Sequence, residues 1–137
     1  MKKITLLLAL ILTLSCVACT AQGNRNDFTS LYEAFVARGV GVSGYEVTEI
    51  EEYEGMEFFL VRVCLNEDDA LVLDDYMWFE AEAMYFADAK EADAAYQRNQ
   101  QTGIGGTCLR KGNILLYWMD NDPFGDLYKE VFSSVFG

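Results

Sequence analysis

The 137-residue sequence predicts an α+β fold. It is expected to form one domain, an antiparallel sheet of about five strands with helices packed on one face, in the order α-β-β-β-α-β-β-α. Three observations carry that expectation. Apolar runs are interrupted by the short turns Glu54-Gly55 and Lys111-Gly112-Asn113, as antiparallel hairpins require. Residues 77–87 alternate with a period of two, placing Met77, Phe79, Ala81, Ala83, Tyr85 and Ala87 on one face. Residues 28–35 and 124–135 repeat apolar side chains at helical spacing.

Along the chain, NDFTSLYEAFVARG reads as a helix with Phe28, Leu31, Tyr32 and Phe35 as its inner stripe. Ser30 and Glu33 have capping-box spacing, and Gly39 suits the stop. VGVSG is a loop, and YEVTEIEEYEGMEFFLVRVCLN reads as a hairpin. Its second strand, 58–65, is apolar on both faces apart from Arg62 and belongs inside the sheet. The first strand carries far more charge and suits an edge, where acids discourage pairing between sheets. NEDDALVLDDY is a loop with at most a short element of its own. Ala, Glu and Met favour helix in MWFEAEAMYFA, but the alternation decides for strand.

DAKEADAAYQRNQQTG then reads as a helix, with Asp88 and Glu91 at its start and Gly103 at its stop. Its narrow inner face is Ala92, Ala95 and Tyr96. A second hairpin, GGTCLRKGNILLYWM, leads into a final helix. There Asp122 is the expected cap and Pro123 the first helical residue. Phe124, Leu127, Tyr128, Val131, Phe132 and Val135 form its stripe.

The N-terminus follows a different logic. Met1-Lys2-Lys3 precedes ITLLLALILTL, a charged start and an apolar run of secretory-signal length. The run is too short to cross a hydrocarbon core of ~30 Å as a helix. Cys16-Val17-Ala18-Cys19 follows where a signal peptidase would cut, and it resembles the bacterial lipobox. Val17 and Ala18 fit that pattern, while Cys16 stands where leucine is usual. The resemblance implies that residues 1–18 are a signal peptide, that Cys19 is lipidated, and that 19–27 tether a single domain of residues 28–137. It implies an extracytoplasmic protein of the cell envelope, held to the membrane by its lipid. The alternative is an ordinary secretory signal, cut after Ala21, that yields a secreted protein. A redox or zinc role for this C-x-x-C lacks a nearby partner cysteine or histidine. The closing stretch GNILLYWMDNDPFGDLYKEVF resembles the tail of small bacterial envelope lipoproteins, and that resemblance implies no activity.

Residues 1–18 contain Lys2 and Lys3 and no acid, so the remainder holds eight basic residues against 22 acidic ones, a formal charge of −14. Nucleic acids and anionic headgroups need clustered Lys or Arg. No nucleic-acid partner is therefore expected; the expected partners are the membrane, through the lipid, and an envelope protein. The chain has no histidine. That removes the commonest general base, the commonest zinc ligand and every Ser-His or Cys-His dyad. The expectation is a non-catalytic interaction domain with no cofactor and no metal. Two alternatives stay open: a small carboxylate-based hydrolase or its regulatory subunit, and a cation-binding surface protein.

Three constellations stand out. Trp78, Glu80, Glu82 and Phe86 share the strand face opposite the all-apolar one. With helices on one side only, they would form an exposed aromatic and acidic contact patch. Glu80 and Glu82 are also a candidate acid/base pair, although such chemistry needs two carboxylates at a set separation in a cleft. Cys64 and Cys108 fall on different strands and would form a disulfide if those strands are neighbours; two buried thiols is the favoured reading. Finally, DNDPFGD at 120–126 resembles the start of an EF-hand loop. Phe124 occupies its fifth position and Val131 the place of the bidentate Glu, so capping by Asp122 accounts for the stretch instead.

Overall fold

The computed structural model describes residues 25–65, 78–101 and 105–137. The leader, Cys16, Cys19, most of the expected tether and the 66–75 segment lie outside the described residues. Helix α1 covers residues 25–38. It is followed by β1 (Tyr45–Val47), β2 (Glu51–Tyr53), β3 (Met56–Cys64) and β4 (Trp78–Phe86). Then come α2 (Ala89–Gln101), β5 (Gly106–Lys111), β6 (Ile114–Met119) and α3 (Gly125–Phe136). The sheet runs β1-β3-β4-β6-β5, with β2 also on β3, and every pairing is antiparallel. The expected α+β domain and element order are present.

The sheet has one strand more than expected because the charged first strand is broken in two. Val47 faces Val61 and Glu51 faces Phe58, so Thr48, Glu49 and Ile50 oppose only Phe59 and Leu60. This is a bulge, a device that twists an edge away from foreign strands. Thr48 holds it. Its N–H donates to the Leu60 carbonyl (3.0 Å), and its Oγ1 accepts the Leu60 N–H (2.8 Å). Ile50 is thereby turned onto the core.

One sheet face carries Phe59, Val61, Val63, Ala81, Ala83, Tyr85, Ile114, Leu116 and Trp118. Phe28, Leu31 and Phe35 of α1 and Tyr128, Val131 and Phe132 of α3 pack on it. Ala81 and Ala83, both fully buried, leave room for these large side chains; Phe28 meets Phe59 and Tyr85 at 5.4 and 5.7 Å between ring centres. Both amphipathic stripes are therefore used as their spacing predicts.

The layering corrects the expectation of helices on a single face. α2 packs on the opposite side, where its Ala92, Ala95 and Tyr96 meet Phe86, Cys108, Leu115, Met56 and Met84. The physical reason lies in the strands. β3, β4 and β6 are apolar on both faces towards the Met56, Phe86 and Leu115 end, and that second apolar area also has to leave water.

Local chemistry differs at three helix ends. Ser30 lies inside α1, its hydroxyl donating to the Asn26 carbonyl (3.0 Å) rather than capping. Gly39 is present for close approach, since a Cβ there would stand 2.1 Å from the Tyr45 ring; the left-handed residue is Gly41, with φ of 74°. α3 begins at Gly125, later than Pro123. The Asp88 expectation agrees with the structure, as its carboxylate accepts the Lys90 N–H (2.8 Å) at the start of α2.

Candidate functional site

α2 covers only one end of its sheet face, and among the described residues no helix covers the other end. Register builds the site there. Arg62 of β3 lies directly between Glu46 of β1 and Glu80 of β4. Its Nε donates to Glu80 Oε1 at 2.9 Å and its Nη1 to Glu46 Oε2 at 3.2 Å. Both carboxylates remain about half exposed, at 56% and 48% of the side chain, against 26% for Arg62. The guanidinium also stands over the Trp78 ring, 5.1 Å from its centre. Among the described residues, this cation flanked by two acids and an aromatic face lies on a part of the sheet that no helix covers.

The neighbouring row is Leu60, Glu82 and Tyr117. Burial pushes the Glu82 carboxyl above its ordinary value, and the negative charge of Glu80 pushes it further the same way. Tyr117 donates its hydroxyl to the Met119 sulfur (3.0 Å). At the end of the strands, Arg62, Trp78, Phe79, Glu80, Met119, Asn121 and Asp122 line a shallow depression of about 520 Å³.

The turn bordering that depression is fastened from below. Asp122 is buried; its Oδ1 accepts the Phe124 N–H (2.8 Å) and its Oδ2 the Tyr128 hydroxyl (2.9 Å). Burial raises the Asp122 pKa, against the lowering effect of those two hydrogen bonds. Phe124 meets the Phe79 ring at 6.1 Å. Asp120 accepts the Thr107 hydroxyl (2.8 Å), so Asp120 and Asp122 of the EF-hand-like stretch already serve the turn. Among the described residues no group of three or more Cys, Asp or Glu side chains is placed to hold a metal ion.

Of the four expected patch residues, the structure brings Trp78, Glu80 and Glu82 together on the open face. Phe86 is a correction. It points to the same face but lies beneath α2, 9% exposed. Strand parity assigned its face correctly; which side the crossover helix takes is not written in that parity. Arg62 and Glu46 were missed as site residues. The available signal was the single charge in an otherwise apolar β3, opposite an acidic strand.

Cys64 and Cys108 are buried thiols not bridged to one another. β4 and β6 separate their strands, three interstrand spacings or roughly 14 Å. Cys108 lies in line with Tyr117, Glu82 and Leu60, well along β3 from Cys64. A disulfide needs Cα atoms within about 7 Å, which excludes the alternative pairing and agrees with the favoured reading of two buried thiols. Burial pushes the Cys108 thiol up to about 11, away from thiolate reactivity. Comparison with known proteins finds no matching family model, no matching curated protein and no matching solved structure.

Proposed function

We propose that this is a lipid-anchored protein of the cell envelope whose small non-catalytic domain recognises another envelope protein through the open sheet face around Arg62, Trp78, Glu80 and Glu82. The observation that carries the recognition half is the Glu46–Arg62–Glu80 row beneath Trp78. Aromatic and arginine side chains held on a rigid sheet are the groups that dominate protein interfaces. The flanking acids would set register and the rate of encounter more than affinity.

The anchoring half is supported by the lipobox-like Cys16–Cys19 stretch. A domain of such negative charge is repelled by anionic headgroups, so a tether at Cys19 would hold it near the membrane while its acidic face stays in water. The test is fractionation. Cys19→Ala is expected to leave the membrane fraction for the soluble one; a variant that sediments with membranes as before would contradict the anchor.

One observation favours a second reading, a carboxylate-based hydrolase. Burial raises the Glu82 pKa beside a second carboxylate, Glu80, and a carboxyl held protonated by its surroundings is the usual general acid of such enzymes. Glu82→Gln separates the readings. It abolishes turnover in a hydrolase, whereas in a recognition domain it alters one neutralisable contact of the face and weakens partner binding by no more than about tenfold.

A further inference from the structure

A second concavity lies where the β2–β3 turn approaches α2. Its floor is one transverse row of the sheet, Tyr53, Met56 and Phe86. Its wall is one face of α2, formed by Glu91, Ala94 and Arg98 at i, i+3 and i+7, and Glu54 closes the rim. The volume is about 340 Å³, at the small end of ligand sites, which run from roughly 300 to 1,000 Å³. Tyr53 is 63% exposed, an aromatic ring on a solvated edge that no described core cluster absorbs.

Arginine usage singles this groove out. The chain has five arginines. Arg25 pairs with Glu57, Arg38 with Glu130, Arg62 with Glu46 and Glu80, and Arg110 with Asp93. Arg98 pairs with none of the described residues, in a chain carrying 22 acids. It also borders an adjoining apolar hollow of about 150 Å³ beside Cys108 and Leu115. A planar guanidinium without a protein carboxylate is suited to bidentate capture of one from a ligand.

A simple anion is nevertheless disfavoured. The net charge of −12 repels it at long range, and Glu54 and Glu91 repel it inside the groove. The complementary ligand therefore carries both signs. Glu91 and Arg98 are seven residues apart, about 10.5 Å along the helix axis, and an extended peptide of three residues spans about 10 Å. Ala94, between them, leaves the wall low enough to pass a chain.

We propose that the groove between the β2–β3 turn and α2 binds a short zwitterionic peptide. Its carboxylate would lie on Arg98, its ammonium on Glu91 and Glu54, and an apolar side chain on the Tyr53–Met56–Phe86 row. This site is separate from the open patch and does not rest on it.

The test is calorimetric titration of the processed full-length protein with the tripeptide alanyl-phenylalanyl-alanine, its N-acetylated form and its C-terminal amide. The free tripeptide is expected to bind, and each capped form to bind about tenfold more weakly, the loss of one charge-assisted contact. Arg98→Gln should weaken the free peptide by a similar factor without changing affinity for the amide or the melting temperature, because Arg98 makes no ion pair with a described residue. Ala94→Leu, filling the wall, should abolish binding. Absence of binding up to about 5 mM, equal affinity for a capped form, or an Arg98→Gln protein that binds as the parent does would each overturn the proposal.

Discussion

Glu82 shows how one carboxylate on a sheet face carries a cost that depends on pH. Its folded pKa lies above the ordinary 4.5, through burial first and Glu80 second. Below the unfolded value both states are protonated and ionisation adds nothing. As pH rises through the folded value the ionised carboxylate becomes a full liability to the native state. Glu82→Gln should therefore raise stability at neutral pH by a fraction of a kcal/mol, the group being only partly buried, and the gain should vanish in acid. Urea titrations of both proteins at several pH values would show it; a gain that grows towards acid would contradict the assignment. Arg62 is expected to behave differently. Its ion pairs are half-solvated, so Arg62→Met should cost less than about 1 kcal/mol and leave a folded protein for binding studies.

At the scale of elements, the fastening of α3 makes the clearest prediction. Asp122→Ala removes the acceptor for both the Phe124 N–H and the buried Tyr128 hydroxyl and should cost about 2 kcal/mol in chemical denaturation. Tyr128→Phe should cost about 1 kcal/mol, and the double variant less than the sum, since one hydrogen bond is common to both. A sum that is strictly additive would mean that the Asp122–Tyr128 bond contributes nothing. Gly39→Ala forces a methyl group into the Tyr45 ring, whose hydroxyl donates to the Phe35 carbonyl at 2.8 Å, and should destabilise by about 1–3 kcal/mol. Cys64 and Cys108 should label equally on unfolding with or without reductant.

How far these features were legible depends on the range of the interaction that produces them. The periods of β4 and of the two amphipathic helices are local, and the faces of Trp78, Glu80, Glu82 and Tyr128 followed from them. The break at Thr48–Ile50 was not readable, because it arises from a side-chain hydrogen bond across to Leu60. Nor was the true start of α3, where Asp122 reaches forward to Tyr128 instead of capping at its own position. Phe86 failed for a longer-range reason, since its exposure depends on which face α2 crosses; the favoured reading of Cys64 and Cys108 as buried thiols agrees with the structure, although only the strand order excludes the bridge.

For the whole molecule, the unequal cover of the two faces organises the account. α1 and α3 close one side of the sheet, whereas α2 closes only part of the other. The part that no described helix covers holds an arginine between two acids under a tryptophan, on a chain whose N-terminus resembles a lipid-anchored leader. The central claim is that this open face is where the anchored domain meets its partner. Site-specific photocrosslinking in the native envelope tests it most directly, with the crosslinker at Glu80 on the open face or at Glu130 on the exposed side of α3 in otherwise identical proteins. The account predicts one discrete adduct from position 80 that is lost when Trp78→Ala is added, and none from position 130. An adduct of equal yield from position 130, or one from position 80 that survives loss of Trp78, would contradict it.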